Sequence, residues 1–538
     1  MSEFNRRQFL GMLATAAAST ALPWTDALAA DAGLALGPAA AFSWEGLIKL
    51  AKAMSKKPYQ PELQPDRNIL EQIDWDAHGK IRFKPEEALF ANGPGQYPIS
   101  FFHPGKFFQY PVEMYRLDNI EDKKHPHTVA REILFDKRHF EMPVDSPAQK
   151  LGPKTRYAGF KIQESRLGDQ SHLDWHNNDW AAFLGASYFR AIGDDYQYGI
   201  SARGLAVNTV EPDRPEEFPV FTRFYFEAPK AGSDTVIVYA LLDGPSVTGA
   251  YRFVMTREKG VVMDIESNLF LRKDIERFGI APATSMYWFS EKDKQFQIDW
   301  RPEVHDSDGL ALWTGANEHV WRPLIDPAGI NVSYFSDHNP RGFGLIQRER
   351  HFDRYLDAVH YERRPSLWIE PLEEWGAGTV QLVELHTKEE LYDNVIAMWV
   401  PSAKATAGSS YRFHYRLHWM KEEPFKNQLA RCVATRIGRG GEPAKRPPGV
   451  HKFEVEFRGG ALEQLAAGTM PEAVLTVTRG KISNVGTEVV PDGGPAHWRT
   501  LFDIGPLAAG SDPVEIRLFL RSGGQTLTET WLYQYHPT

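Results

Sequence analysis

Between Arg301 and Leu324 the chain reads RPEVHDSDGLALWTGANEHVWRPL, with two aspartates inside a stretch rich in Trp, His and Arg. Splitting a sugar acetal takes one group to protonate the leaving oxygen and another to activate water, so carboxyls beside aromatic rings read first as a glycan site. Asp306 and Asp308 are the candidates. Side chains two apart on a strand share a face, so an extended segment here points both carboxylates the same way, and only one of them need do chemistry. The competing chemistry is a metal, since hard cations prefer carboxylate oxygens and Asp-x-Asp pairs hold divalent ions in many nucleotide-sugar transferases. A third reading pairs either acid with Arg301 or His305 for structural reasons.

Other residues of chemical type carry weaker signals. His305 and His338 belong to no ligand-spaced cluster, and His172 with His176 lacks the Glu of a zinc protease motif, so no metal and no cofactor is expected. Glu370, Glu373 and Glu374 form a reserve of carboxylates, Glu370 ranking third as an acid. Sugar faces stack on aromatic rings and sugar hydroxyls bond to Arg and Asp, which makes Trp313, Trp321, Trp368 and Trp375 candidates. For any single Trp, core packing is the commoner use.

The elements that must hold these residues are mostly strands. Phe42 to Met54 shows helical spacing with Ser43 as cap. From Ile81 to about Trp399 the pattern turns to short alternating or β-branched runs punctuated by Gly, Pro and Asn, which predicts a large antiparallel β architecture over residues 31–420. Residues 421–450 lose periodicity and gather Lys, Arg, Gly and Pro, the composition of a linker. Residues 451–538 alternate again in closely spaced strands, as in a small immunoglobulin-like sandwich.

At 538 residues two or more domains are expected, and 42% hydrophobic content with 12% aromatic is enough for their cores. Net charge is -9, spread without a basic block, which argues against nucleic acid and for a neutral ligand. Residues 1–30 carry Arg6-Arg7-Gln8-Phe9-Leu10, an apolar run and Ala27-Leu28-Ala29, a twin-arginine export signal ending near Ala30. No later stretch approaches the ~20 apolar residues of a membrane span. A periplasmic protein is expected, and nucleotide sugars, being cytoplasmic, then fall away as substrates. The single Cys432 excludes an intramolecular disulfide.

Longer motifs carry a resemblance. Phe183–Arg190, Tyr196–Ala206, Tyr239–Asp243 with Thr248–Tyr251, His305–Gly309, Asn339–Leu345 and Arg364–Trp368 are similar to the periplasmic glucan biosynthesis protein G and D family, from about Phe42 to the C-terminal strand. The twin-arginine signal resembles the D branch. The resemblance implies a large mutarotase-like β-sandwich followed by an immunoglobulin-like domain. It implies action on β-1,2-glucan with anomeric inversion, either as an endo-glucanase or as a transglycosylase that cyclises the chain. It places the general acid on Asp393, in Leu391-Tyr-Asp-Asn394, and the general base on Asp306, with Asp308 in support. Read alone, Asp393 is an Asx-turn residue before a strand. Tyr361 matches a tyrosine near the family's site, and Arg203, Arg341 and Arg364 sit in its motifs. Residues Thr387 to Tyr392 depart from the D-branch pattern beside the acid. A non-catalytic glucan-binding protein that recruits a membrane glucan synthase is the alternative class.

Overall fold

The computed structural model describes residues 33–120, 127–168, 173–466, 468–510 and 512–537. The export signal at residues 1–30 and His172 lie outside the described residues. The chain is mostly β and forms two compact units. The first takes in the described residues up to Thr284 with Pro371–Thr379 and Met398–Trp419, the second Ser285–Glu370, Val380–Ala397 and Met420 onward. Among the described residues no helix is long and apolar enough to cross a membrane.

The first unit is a β-sandwich. One sheet runs in the order Ala40–Phe42, His127–Glu132, Glu113–Ile120, Val220–Glu227, Thr235–Asp243, Val247–Arg257, Val261–Leu271, Ser410–Met420. The other runs Phe278–Ser285, Ser201–Arg203, Tyr188–Ala191, Asp179–Leu184, Gly159–Gln163, Ile99–Phe102. Strand alternation sends Phe224, Phe226 and Phe253 of the first sheet against Phe160, Phe183 and Phe189 of the second, with ring centroids 4.8 to 5.7 Å apart. Truncating any one of these rings to Ala should cost about 3–5 kcal/mol. Tyr225, on the opposite face of its strand, meets the helix Trp44–Ser55, whose Leu47 and Ala51 also pack on Leu117, Leu241 and Ala250. Ser43 caps that helix as its sequence predicts, Oγ accepting from the Gly46 amide at 3.0 Å.

In the second unit the sheet order is Ser366–Pro371, Gly342–Ile346, Gly309–Trp313, His319–Pro323, Thr530–Tyr535, Val514–Ser522, Glu472–Val477. Facing it is a sheet ordered Arg431–Arg439, His451–Arg458, His497–Gly505, Lys481–Val489. Phe453, Phe502, Trp531 and Tyr535 from the C-terminal strands share one core with Trp321, Ile346 and Trp368. Val320 pairs with Thr530 and Trp321 with Trp531, in parallel.

This differs from the division into residues 31–420, 421–450 and 451–538. Of the C-terminal strands, Glu472–Val477, Val514–Ser522 and Thr530–Tyr535 extend the sheet that follows the HDSD motif, and the core behind them takes in Trp321, Ile346 and Trp368. Arg431–Arg439, within the supposed linker, is a nine-residue strand paired with His451–Arg458. Its alternation is obscured because the apolar residues Cys432, Val433 and Ala434 run consecutively and Arg431, Arg436 and Arg439 interrupt the rest; the Gly, Pro and Lys residues after it make the turn of a long hairpin.

Candidate active site

The HDSD motif is a crossing between two sheets. Val304–His305 pairs with Tyr287–Phe289, and the chain then turns into Gly309–Trp313. The two acids therefore do not share one strand face, as an extended segment had predicted. Asp306 is wholly buried, its amide donating to the Met286 carbonyl at 2.8 Å. Asp308 is half-buried and turns the other way, its Oδ2 accepting from the backbone amides of Arg348 and Glu349, the latter at 2.8 Å. Ser307 Oγ lies 2.8 Å from Ser285 Oγ.

Asp306 is in direct contact with the buried guanidinium of Arg364. The Tyr361 ring lies under that guanidinium, 4.1 Å from its carbon, and stacks in turn on Tyr355 at 5.8 Å. Burial pushes the Arg364 pKa below its ordinary value, while the charges of Tyr361, Asp393 and Asp357 pull the other way. Asp393, half-buried in the loop before the strand Val395–Pro401, thus stands within the field of the same guanidinium that holds Asp306.

The Asp393 loop is fixed by its neighbours. Asn394 Oδ1 accepts from the Tyr287 amide at 2.9 Å, and its Nδ2 donates to the carbonyls of Tyr287 and Leu385, both at 2.8 Å. Both aspartates are therefore mounted on one short stretch, Asp306 on Met286 and Asp393, through Asn394, on Tyr287. Upstream in the loop, Glu390 is held by Arg301 at 3.3 and 3.4 Å, and Arg301 also binds Asp299 and Asp357. Burial opposes the charge on Arg301, but Asp299, Glu390 and Asp357 outweigh it and raise its pKa. At the loop's start the Thr387 amide donates to Asp326 Oδ1 at 2.9 Å, and burial pushes the Asp326 pKa up to about 6. Asn394, Tyr287 and Glu390 were missed in sequence, although Asn394 stands beside the expected acid; Arg301, weighed there as a partner of Asp306 or Asp308, binds Asp299, Asp357 and Glu390.

The remaining candidates scatter. Trp321 and Trp368 are buried in the core of the second unit, Trp321 beneath Arg348 at 3.6 Å and Trp368 against Phe425 at 4.9 Å. Trp313 is half-buried beside His319, with the exposed Arg341 5.4 Å from its ring. Trp375 and Arg203 belong to the first unit. Trp375 is buried among Trp399, Phe413 and Tyr415, and Arg203 binds Thr284 and Glu216 at 3.0 Å. Glu370 is half-buried at the end of its strand.

Glu303, His305 and Asp308 present donor atoms within 4.8 Å of one another, a set able to bind a divalent ion. In the arrangement seen, His305 lies 2.9 Å from Glu303 through Nε2 and 3.0 Å from Gln347 Oε1 through Nδ1. Two acceptors facing the two ring nitrogens suit a doubly protonated imidazolium. Burial works against that charge, but Asp308 and Glu303 outweigh it and raise the His305 pKa.

Fold and site together define a β-sandwich protein with a buried aspartate–arginine pair, Asp306 and Arg364, and with Asp393 in a loop pinned to the stretch that carries Asp306. A family profile described as "Periplasmic glucan biosynthesis protein, MdoG" matches residues 42–535. Glucans biosynthesis protein D 2 of Ralstonia nicotianae is 58% identical over 534 residues, covering 99% of this chain and 98% of that one. Glucans biosynthesis protein D of Stenotrophomonas maltophilia is 44% identical over 549 residues, and that of Xanthomonas campestris pv. campestris 45% over 545, each at 99% and 98% coverage. The chain belongs to the periplasmic glucan biosynthesis protein family.

Proposed function

We propose that the protein acts in the periplasm, after twin-arginine export, as an anomer-inverting endo-β-1,2-glucanase in glucan biosynthesis. The names of its relatives support the glucan as ligand, and a membrane glucan synthase is the natural protein partner. The observation that carries the enzymatic reading is the common mount: Asp306 hangs from Met286 and touches Arg364, and Asp393 hangs, through Asn394, from Tyr287.

In this reading the Asp393 carboxylic acid gives its proton to the glycosidic oxygen as the bond to the anomeric carbon breaks. Water adds to the opposite face of that carbon, and its proton passes to the Asp306 carboxylate. Asp306 is shut off from bulk water, so the proton reaches it through an intervening hydroxyl or water molecule. Arg364 faces the Asp306 carboxylate, and Tyr361 orients Arg364. Arg341 with Trp313, at the surface, are sugar-contact candidates, and Asp308 supports the motif by binding two backbone amides.

The clamped Thr387–Tyr392 loop favours a second outcome, in which water is kept out and a sugar hydroxyl of the same chain attacks to close a cyclic glucan. Incubation of the purified protein with linear β-1,2-glucan, following the first product's anomer by NMR and its mass, separates the readings. Inverted linear products support hydrolysis, and masses lacking one water support cyclisation. Binding without any turnover would leave a glucan-holding assembly protein.

A further inference from the structure

The segment just before Arg301 exposes three large apolar side chains at alternate positions: Phe296 at 60%, Ile298 at 104% and Trp300 at 67% of full exposure. Apolar groups grouped on a surface are costly to leave wet and commonly mark a binding face. A slack loop would explain them cheaply, but this one is stapled from within. Lys294 Nζ donates to the carbonyls of Asp299 and Arg301, the latter at 2.7 Å. The Arg301 amide, Nε and Nη2 all bind the Asp299 carboxylate, at 2.8 to 2.9 Å. The Arg301 guanidinium also lies by two indole rings, 5.6 Å from Trp300 and 5.8 Å from Trp288. Trp300 is thus backed by a cation on its inner side while most of the ring meets solvent.

The same Arg301 reaches the candidate active site. It binds Glu390, three residues before Asp393, and at 2.8 Å Asp357, four residues before Tyr361. One guanidinium therefore ties together the exposed apolar segment, the loop of the acid and the segment of Tyr361. Its charge is offset by three carboxylates, and the Lys294 ammonium is turned inward onto two carbonyls, so the large side chains exposed on this segment are apolar and aromatic. That chemistry suits a neutral polymer with apolar ring faces.

We propose that Phe296, Ile298 and Trp300 form a platform on which a part of the glucan chain remote from the scissile bond lies, with a sugar ring stacked on Trp300. The proposal rests on the glucan reading above. On this proposal long chains bind more tightly than short ones, since a short oligosaccharide that fills the sites at Asp393 does not reach the platform.

The test uses the full mature chain carrying Asp393→Asn, so that substrate is held and not turned over. Its affinity for short and for long linear β-1,2-glucans is measured by calorimetry, beside the same protein with Trp300→Ala and Ile298→Ala added. The platform predicts a loss of about tenfold for the long glucan, little change for the short one, and recovery of most of the loss when Trp300→Phe replaces Trp300→Ala. Unchanged affinity for long glucan overturns it. Equal losses on short and long chains overturn it too, because Trp300 then merely supports the Glu390 loop. If the parent protein binds glucan of no length, the functional reading itself fails and the platform with it.

Discussion

A guanidinium removed from water survives only where carboxylates face it, and Arg364 has Asp306 in contact and Asp393 in its field. Replacing it by Met leaves Asp306 buried without its cation. The expected cost is about 3–5 kcal/mol, read as a lower urea midpoint, with a smaller cost in the double variant that also carries Asp306→Asn. A loss below about 1 kcal/mol would mean that the pair is weakly coupled. His305 supplies a second test at this scale. Its native pKa lies above the ordinary imidazole value of 6.5, so its protonation contributes stability that is fully present below 6.5 and is lost as pH rises through the raised value. His305→Gln should flatten stability against pH in that window, and an unchanged profile would show that the imidazolium is not formed. The sequence showed Asp306 through its Asp-x-Asp pattern and aromatic surroundings. It could not show that Asp306 and Asp308 turn apart, because that depends on Arg364, 58 residues away, and on the amides of Arg348 and Glu349.

At the scale of elements, the site depends on how the Asp393 loop is pinned. Asn394 makes its bonds to Tyr287 across 107 residues of sequence, which is why the loop reads in isolation as an ordinary turn before a strand. Only the family resemblance singled out Asp393. Asn394→Ala strands the amide and carbonyl of Tyr287 and the carbonyl of Leu385. It should cost about 1–3 kcal/mol and lower glucan turnover at least tenfold, with substrate binding less affected, as measured by denaturation and by steady-state rates. Wild-type turnover in this variant would show that the Tyr287 clamp does not position the acid. Strand type was legible from alternation over most of the chain, Arg431–Arg439 excepted, and so was the Ser43 cap. The roles of Trp321 and Trp368 were not, because an aromatic residue on a β-strand looks the same in sequence whether its face meets a core or a ligand.

At the scale of the whole molecule, each compact unit is assembled from separate stretches of chain. A boundary near residue 450 looked natural because Gly, Pro and Lys cluster there, yet the hairpin they close lies in the four-stranded sheet, and the later strands Glu472–Val477, Val514–Ser522 and Thr530–Tyr535 join the sheet that holds Gly309–Trp313. Truncation after residue 450 removes Phe453, Phe502, Trp531 and Tyr535 from the core around Trp321. The truncated chain should be insoluble or lack a cooperative melting transition, and a soluble, cooperatively melting fragment with glucan-binding ability would refute this continuity.

In the proposed mechanism Asp393 and Asp306 act as acid and base across one glycosidic bond. The most direct measurement compares wild type, Asp393→Asn and Asp306→Asn on linear β-1,2-glucan, recording turnover and product anomer beside glucan affinity and melting temperature. The expected result is inverted product from wild type, turnover reduced by two or more orders of magnitude in each variant, and affinity and fold retained in both. Turnover retained in either folded variant, or retention of anomeric configuration in wild type, would contradict it.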